Sequence, residues 1–290
     1  MALIQHNIDE WIRENQKYFL PPVCNKMMHD GQLKVFYVGG PNVRKDYHIE
    51  LGEEFFYMRN GDMDLLIMEK GVPKVVPIKQ GEVFLLPGKI PHSPQRYENT
   101  VGLVVERQRT AEEMDCLRYY TKDASQILYE RWFHCVDLGA QLKPLIEDFF
   151  ESDEYRTGNP SPNSRLTVAS YEPDELRTVG DPFSLEDWLK RNQQVIDHMG
   201  KLSLFGGSYR SQIIVYGPGE DETIHEDEDT LLWQLRGSST VELKDEPTRA
   251  VGANDMIIVR RGRQFKIRRS EGARVMQIVM GNFESSKEIR

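Results

Sequence analysis

Two stretches of the chain are cut into short β-forming runs by glycine and proline, and this punctuation limits the fold more than any other feature. In the first stretch, LKVFYV (33–38), KDYHI (45–49), EFFYM (54–58), MDLLIM (63–68), KVVPI (74–78), EVFLL (82–86) and GLVVE (102–106) follow one another closely. Strands this short, with no helical segment between them, predict a β-sandwich or barrel and not alternating β/α units. After residue 200 the texture returns in SQIIVYG, TLLWQLRG, STVEL, DMIIVRRG and RVMQIVMG. A β-domain that recurs once predicts two barrels in one chain.

Between the two stretches, AEEMDCLRYY, DASQILYERWF and KPLIEDFFE carry apolar residues at three- and four-residue spacing and predict helices across 111–155. Residues 8–19 predict another helix, capped by Asn7, with Ile8, Trp11, Ile12 and Phe19 on one face. TGNPSPNS (157–164) reads as a connector. The expected organisation is a first β-domain with helical extension over 1–160, a linker over 161–177 and a second β-domain over 178–290.

The 290 residues suffice for two such cores. No run approaches the roughly 18 apolar residues of a membrane span, and acidic residues enter the N-terminus too early for a signal peptide. A cytoplasmic protein is expected. The net charge of −9 without a long basic run argues against nucleic acid as a partner, so an anionic substrate would need local arginines. Cys24, Cys116 and Cys135 are odd in number, far apart and form no CxxC, so free thiols in a reducing compartment are expected.

Chemistry concentrates in GPNVRKDYHIELGEEFFYMRNG (40–61) and GEVFLLPGKIPH (81–92). Alone, a histidine at a strand end is more often a satisfied structural residue, and a glutamate in EEFF is usually solvated. Together, His48, Glu54 and His92 are two histidines and a carboxylate framed by glycine and proline, the ligand set of a facial triad. Such a triad leaves neighbouring positions on a metal open, but ligand type alone does not choose the metal.

The two segments resemble the paired motifs of cupins, whose first motif offers His-x-His and a glutamate and whose second offers one more histidine. Glu50 replaces the second histidine here and is read as a spectator. Arg96 stands where an asparagine often follows the second motif. The likeness sharpens in PPVCNK (21–26), GGPNVRKDYH (39–48), EEFFY (53–57), FLLPGKIPHSPQR (84–96) and GLVVERQR (102–109). It continues through LRYY (117–120), LYERWFHCVDLG (128–139) and EDFFESDEYRTGNP (147–160). These resemble the animal-type 3-hydroxyanthranilate 3,4-dioxygenases.

That resemblance implies a mainly β fold, with a double-stranded β-helix (cupin) present twice and a helical linker region. It implies one Fe(II) on His48, Glu54 and His92, since the rubredoxin-like CxxC site of the bacterial form is missing. Substrate contacts fall on Arg44, Arg96, Glu106 and Asn25, with Glu54 facing the substrate as well as the metal. The implied reaction joins 3-hydroxyanthranilate and O2 into 2-amino-3-carboxymuconate semialdehyde, on the kynurenine route to quinolinate and NAD. Arg forks suit the substrate carboxylate. Glu106 suits its phenolic proton, and Arg44 suits negative charge developing on oxygen.

Aligning the second β-stretch on Gly237 and Gly61 places Ile224 and Thr230 opposite His48 and Glu54, and matching VGANDMIIVRRGRQF to KQGEVFLLPGKIPH places Phe265 opposite His92. The second barrel is therefore expected to lack the ligands and to stand in for a partner subunit, leaving a monomer. His225 in IHEDEDT is expected in a solvated acidic turn. Two other readings remain at this stage: a Zn or Mn cupin isomerase or lyase that needs no O2, and a non-catalytic double cupin.

Overall fold

The computed structural model describes residues 3–21, 24–136 and 138–281. Pro22 and Val23 of PPVCNK, Asp137 of LYERWFHCVDLG and the end of the 178–290 domain (282–290) lie outside them. Strands hold 44% of the chain and helices 16%, so the architecture is mainly β as expected. Among the described residues no helix is long and apolar enough to cross a membrane.

The first helix forms over Ile8–Asn15 and tightens into a 3-10 turn over Gln16–Phe19. The Asn7 side chain accepts from the Glu10 backbone N–H at 3.3 Å, satisfying a donor that the helix itself cannot. The helices expected at AEEMDCLRYY and DASQILYERWF are instead a hairpin, Asp115–Tyr120 against Ile127–Phe133. Its Tyr, Trp, Phe and Ile side chains favour a pleated surface, and the tertiary setting overrides a spacing that merely suggested a helix. Only the third segment is helical, over Leu138–Glu151. One side of the hairpin packs under it: Tyr119 stacks on Phe149 with ring centroids 3.6 Å apart.

The sequence pattern did not suggest the helix Leu185–Met199, although it carries clear end signals. Ser184 accepts from the Asp187 N–H at its start, and Gly200 closes it at φ 78, in the left-handed region that a side chain would resist.

The chain separates into two compact units that do not follow the expected linear order. One gathers Met1–Tyr37, Val105–Arg107 and Ser184–Asn282, while the other holds Val38–Val104 and Gln108–Phe183. The first 37 residues thus group with the second β-stretch. The reason is pairing and burial: strand Leu3–Asn7 lies along Asp255–Val259, and Asp229 holds the turn before strand Leu33–Gly39. The Asp229 carboxylate is buried, accepting from Gln32 N, Leu33 N and Arg261 N and contacting His29 Nε2. The turn IHEDEDT, expected to be a solvated acidic turn, therefore contains one buried acid, Asp229.

The two units repeat one strand arrangement. In the second-named unit, Tyr47–Ile49, His92–Arg96, Met63–Glu69 and Val72–Ile78 are neighbours in that order. In the first-named unit the same order runs through Gly219–Thr223, Phe265–Arg269, Ser239–Leu243 and Arg249–Val251. Glu54 pairs with Leu86 as Thr230 pairs with Val259. His92 pairs with His48, whereas Phe265 pairs with Thr223. The counterpart of His48 is therefore Thr223 and not Ile224. The connection to the next strand is one residue longer here, seven positions from 223 to 230 against six from 48 to 54, and fixed spacing misplaces the match. Leu232, Phe265, Ile267 and Val275 fill this barrel as part of one apolar core.

Candidate metal centre

His48 sits in the middle of strand Tyr47–Ile49, Glu54 opens strand Glu54–Asn60, and His92 opens strand His92–Arg96. The loop leading to His92 passes close to the one between His48 and Glu54. A Cβ on Gly88 would lie 2.2 Å from the Leu51 carbonyl oxygen, so only glycine permits that approach. The Lys89 N–H donates to the Glu50 carbonyl at 2.7 Å, which fixes one loop on the other.

The three expected ligands converge, all buried, with one donor atom from each lying within 4.8 Å of the others. A hydrogen bond at one nitrogen of each ring decides which nitrogen keeps its lone pair. His92 Nδ1 lies 3.0 Å from the Ile90 carbonyl, which can only accept, so Nδ1 carries the proton and Nε2 keeps its lone pair. His48 Nε2 lies 2.7 Å from Asp115 Oδ2, so an ionised Asp115 leaves the lone pair of His48 on Nδ1.

His92 Nε2 and Glu54 Oε1 are 2.8 Å apart, yet Glu54 Oε1 has no aligned hydrogen-bond donor among the described residues. Two electron-pair donors brought face to face in a buried site repel unless a proton or a cation lies between them. A divalent metal fits this set: two neutral imidazoles, one carboxylate, and outer partners that orient the rings.

The electrostatics agree. Burial alone would raise the Glu54 pKa, but the His92 and His48 imidazoles outweigh it, holding Glu54 well below the usual carboxylate range. Without a cation the same contact draws a proton to His92, whose imidazole is held above its ordinary value although burial acts the other way. A metal displaces that proton when it binds.

Arg96 is buried and lies four residues beyond His92 on one strand, so the two share a face. Arg44 is part-buried, and its main chain is clamped by Gln95, whose side chain accepts from Arg44 N at 3.2 Å and donates to Arg44 O at 2.8 Å. The Arg44 guanidinium forks onto Asp46, with Nε to Oδ1 at 3.1 Å. Burial would lower the Arg44 pKa, but Asp46 keeps it raised and the charge fixed. Glu106 is buried on Val101–Arg107, whereas Asn25 is exposed at the start of Asn25–Asp30. Both belong to segments of the other unit.

Three residues escaped the sequence reading. Asp46 holds Arg44, Asp115 holds His48, and Arg109 contacts both Asp115 and Glu50. Glu50 stays outside the three-ligand group but is a buried ion-pair partner and not an idle residue. The proximity of Asp46 to Arg44 in the sequence was a usable signal. Asp115 had none, because its strand was taken for a helix. In the other unit, the positions matching the ligands carry Thr223, Thr230 and Phe265, which cannot form such a set.

A family model described as 3-hydroxyanthranilic acid dioxygenase matches residues 1–150. The 3-hydroxyanthranilate 3,4-dioxygenase of Rattus norvegicus is 46% identical over 271 residues, covering 93% of this chain and 94% of that protein. The protein of the same name from Homo sapiens is 47% identical over 268 residues, covering 92% and 93%. Among solved structures, a salicylate 1,2-dioxygenase from Pseudaminobacter salicylatoxidans aligns over 96% of this chain and 84% of that one. Its TM-score is 0.57 at 13% identity, a likeness of fold that matches the expected repeated cupin architecture.

Proposed function

The chain belongs to the 3-hydroxyanthranilic acid dioxygenase family, and from that premise we propose that it opens the ring of 3-hydroxyanthranilate using Fe(II) held by His48, Glu54 and His92. It is an oxidoreductase that acts on a small molecule and O2. The observation that carries the metal reading is the pair of lone-pair nitrogens and the undonated Glu54 oxygen meeting in one buried site. Fe(II), when bound, supplies open positions that hold the aromatic ring and O2 side by side and a path for electrons between them.

The chain's own groups do the rest. Arg96, on the face of the strand that carries His92, binds the substrate carboxylate through charge-assisted hydrogen bonds. Arg44, its charge fixed by Asp46, steadies negative charge that develops on oxygen as electrons leave the ring. Glu106 takes the phenolic proton or holds the amine, a role suited to a buried carboxylate. Asn25, exposed at the start of its strand, is assigned a polar contact to the substrate. Both atoms of O2 enter the product, 2-amino-3-carboxymuconate semialdehyde, so no external reductant is required. The product is the precursor of quinolinate on the kynurenine route to NAD, and the compartment proposed for the reaction is the cytoplasm. The enzyme acts as a monomer, its second barrel taking over the role that a partner subunit has in a single-barrel protein.

Metal replacement tests this reading. After chelation and dialysis, Fe(II) restores substrate-dependent O2 uptake and Zn(II) does not. Turnover with Zn(II) and without O2 uptake would move the function to a cupin isomerase or lyase, and turnover in the chelated protein would remove the metal reading.

A further inference from the structure

His48 is the one ligand whose inward nitrogen depends on another side chain. His92 is oriented by a main-chain carbonyl, a fixed acceptor. His48 instead relies on Asp115 Oδ2 at 2.7 Å, from a neighbouring strand in which Leu117 pairs with His48 and Cys116 with Ile49. That register sets Asp115 across from Glu50, and two carboxylates opposite one another repel. Arg109 resolves the conflict. Its Nη2 lies 2.8 Å from Glu50 Oε2 and 3.0 Å from Asp115 Oδ2, and its Nε donates to both Asp115 oxygens at 3.3 and 3.2 Å. The four side chains are at most 4% exposed, so water cannot replace any of these partners.

We propose that Asp115, steered by Arg109, is a positioning residue that sets the His48 tautomer and thereby the metal affinity of the site. This rests on the reading of His48, Glu54 and His92 as a divalent-metal site. With Asp115 ionised, the His48 proton stays on Nε2 and the lone pair on Nδ1. That nitrogen is not engaged by Asp115 and so is the one left to meet a cation in the group of His48, Glu54 and His92. Asparagine would have a single oxygen for two donors, His48 and Arg109. If the oxygen serves Arg109, the amide N–H2 points at His48 Nε2, which must then accept. The proton moves to Nδ1, the atom the metal needs. Partners of this kind tune metal affinity by about 10- to 100-fold.

The test uses the full chain, wild type and Asp115→Asn, with Asp115→Glu as conservative rescue. Imidazole 15N spectra of the metal-free proteins report which nitrogen of His48 is protonated, and competition with a chromogenic chelator gives the Co(II) dissociation constant. The expected result is Nε2–H in the wild type, and Nδ1–H in Asp115→Asn with Co(II) binding weakened about 10- to 100-fold. Asp115→Glu recovers at least part of that loss. Wild-type tautomer and affinity in Asp115→Asn would overturn the proposal. So would Nδ1–H in wild-type His48, a result that stands even if the variant fails to fold. Wild-type protein that binds no Co(II) at all would instead remove the metal reading on which the proposal depends.

Discussion

Replacing Asp229 with alanine should unfold the chain more easily than any surface substitution, because of what its carboxylate holds. Oδ2 accepts from Gln32 N at 3.0 Å and Leu33 N at 3.3 Å and sits 3.0 Å from His29 Nε2, while Oδ1 accepts from Arg261 N at 2.9 Å. The residue is 3% exposed, so alanine strands several buried donors at once. Each hydrogen bond to a charged group is worth about 1.5–3 kcal/mol. These bonds share one acceptor and are not additive, so the expected loss is about 3–5 kcal/mol, the range for breaking a buried charged partnership. At roughly 2–4 °C per kcal/mol, the melting midpoint should drop by about 10 °C. The effect also carries a pH signature. Burial raises the Asp229 pKa, but His29 and the N–H groups of Arg261 and Leu33 outweigh it, so the folded value is depressed. Its contribution is therefore present above the unfolded value of about 3.9 and is lost as pH falls through the lower folded value. Urea titrations of wild type and Asp229→Ala at pH 7 and below about pH 3 measure both terms. A loss below about 1 kcal/mol would refute the clamp that ties the N-terminal turn to the C-terminal barrel, and so would a gap that does not narrow on acidification.

Arg96→Ala should lower kcat/KM by about 10- to 150-fold, the value of one hydrogen bond to a charged group, in steady-state kinetics with 3-hydroxyanthranilate; an unchanged value would remove Arg96 from carboxylate binding. Phe149→Ala removes a buried ring stacked on Tyr119 and should cost about 3–5 kcal/mol by urea titration. All three cysteines are buried, and burial pushes the Cys116 thiol up, so a thiol reagent should label the native protein slowly and the urea-unfolded protein at every cysteine. Sedimentation should give the mass of one 33.7 kDa chain at micromolar concentration, and a dimer mass would contradict the monomer reading.

The repeated β-domain and the convergence of His48, Glu54 and His92 were legible because both rest on local signals: strand punctuation by glycine and proline, and polar residues that open or sit within strands. What failed had non-local causes. The Asp115–Phe133 hairpin read as helix because its aromatic residues satisfy both periods, and only pairing with Tyr47–Ile49 decides between them. That error hid Asp115 and with it the partner of His48. The grouping of residues 1–37 with the C-terminal barrel depends on Leu3–Asn7 pairing with Asp255–Val259, a contact about 250 positions away that no window of sequence contains. Asp229 looked like one more acid in a charged turn, since burial of a single carboxylate follows from its partners and not from its neighbours in the chain.

The most direct test of the central claim is stoichiometric. The protein is loaded anaerobically with Fe(II), 3-hydroxyanthranilate is added, and air is admitted while an oxygen electrode and the absorbance of the ring-opened product are followed together. The wild type is expected to consume one O2 for each product formed, and His48→Ala to give neither signal. Product without oxygen uptake, or equal turnover in His48→Ala, would contradict it.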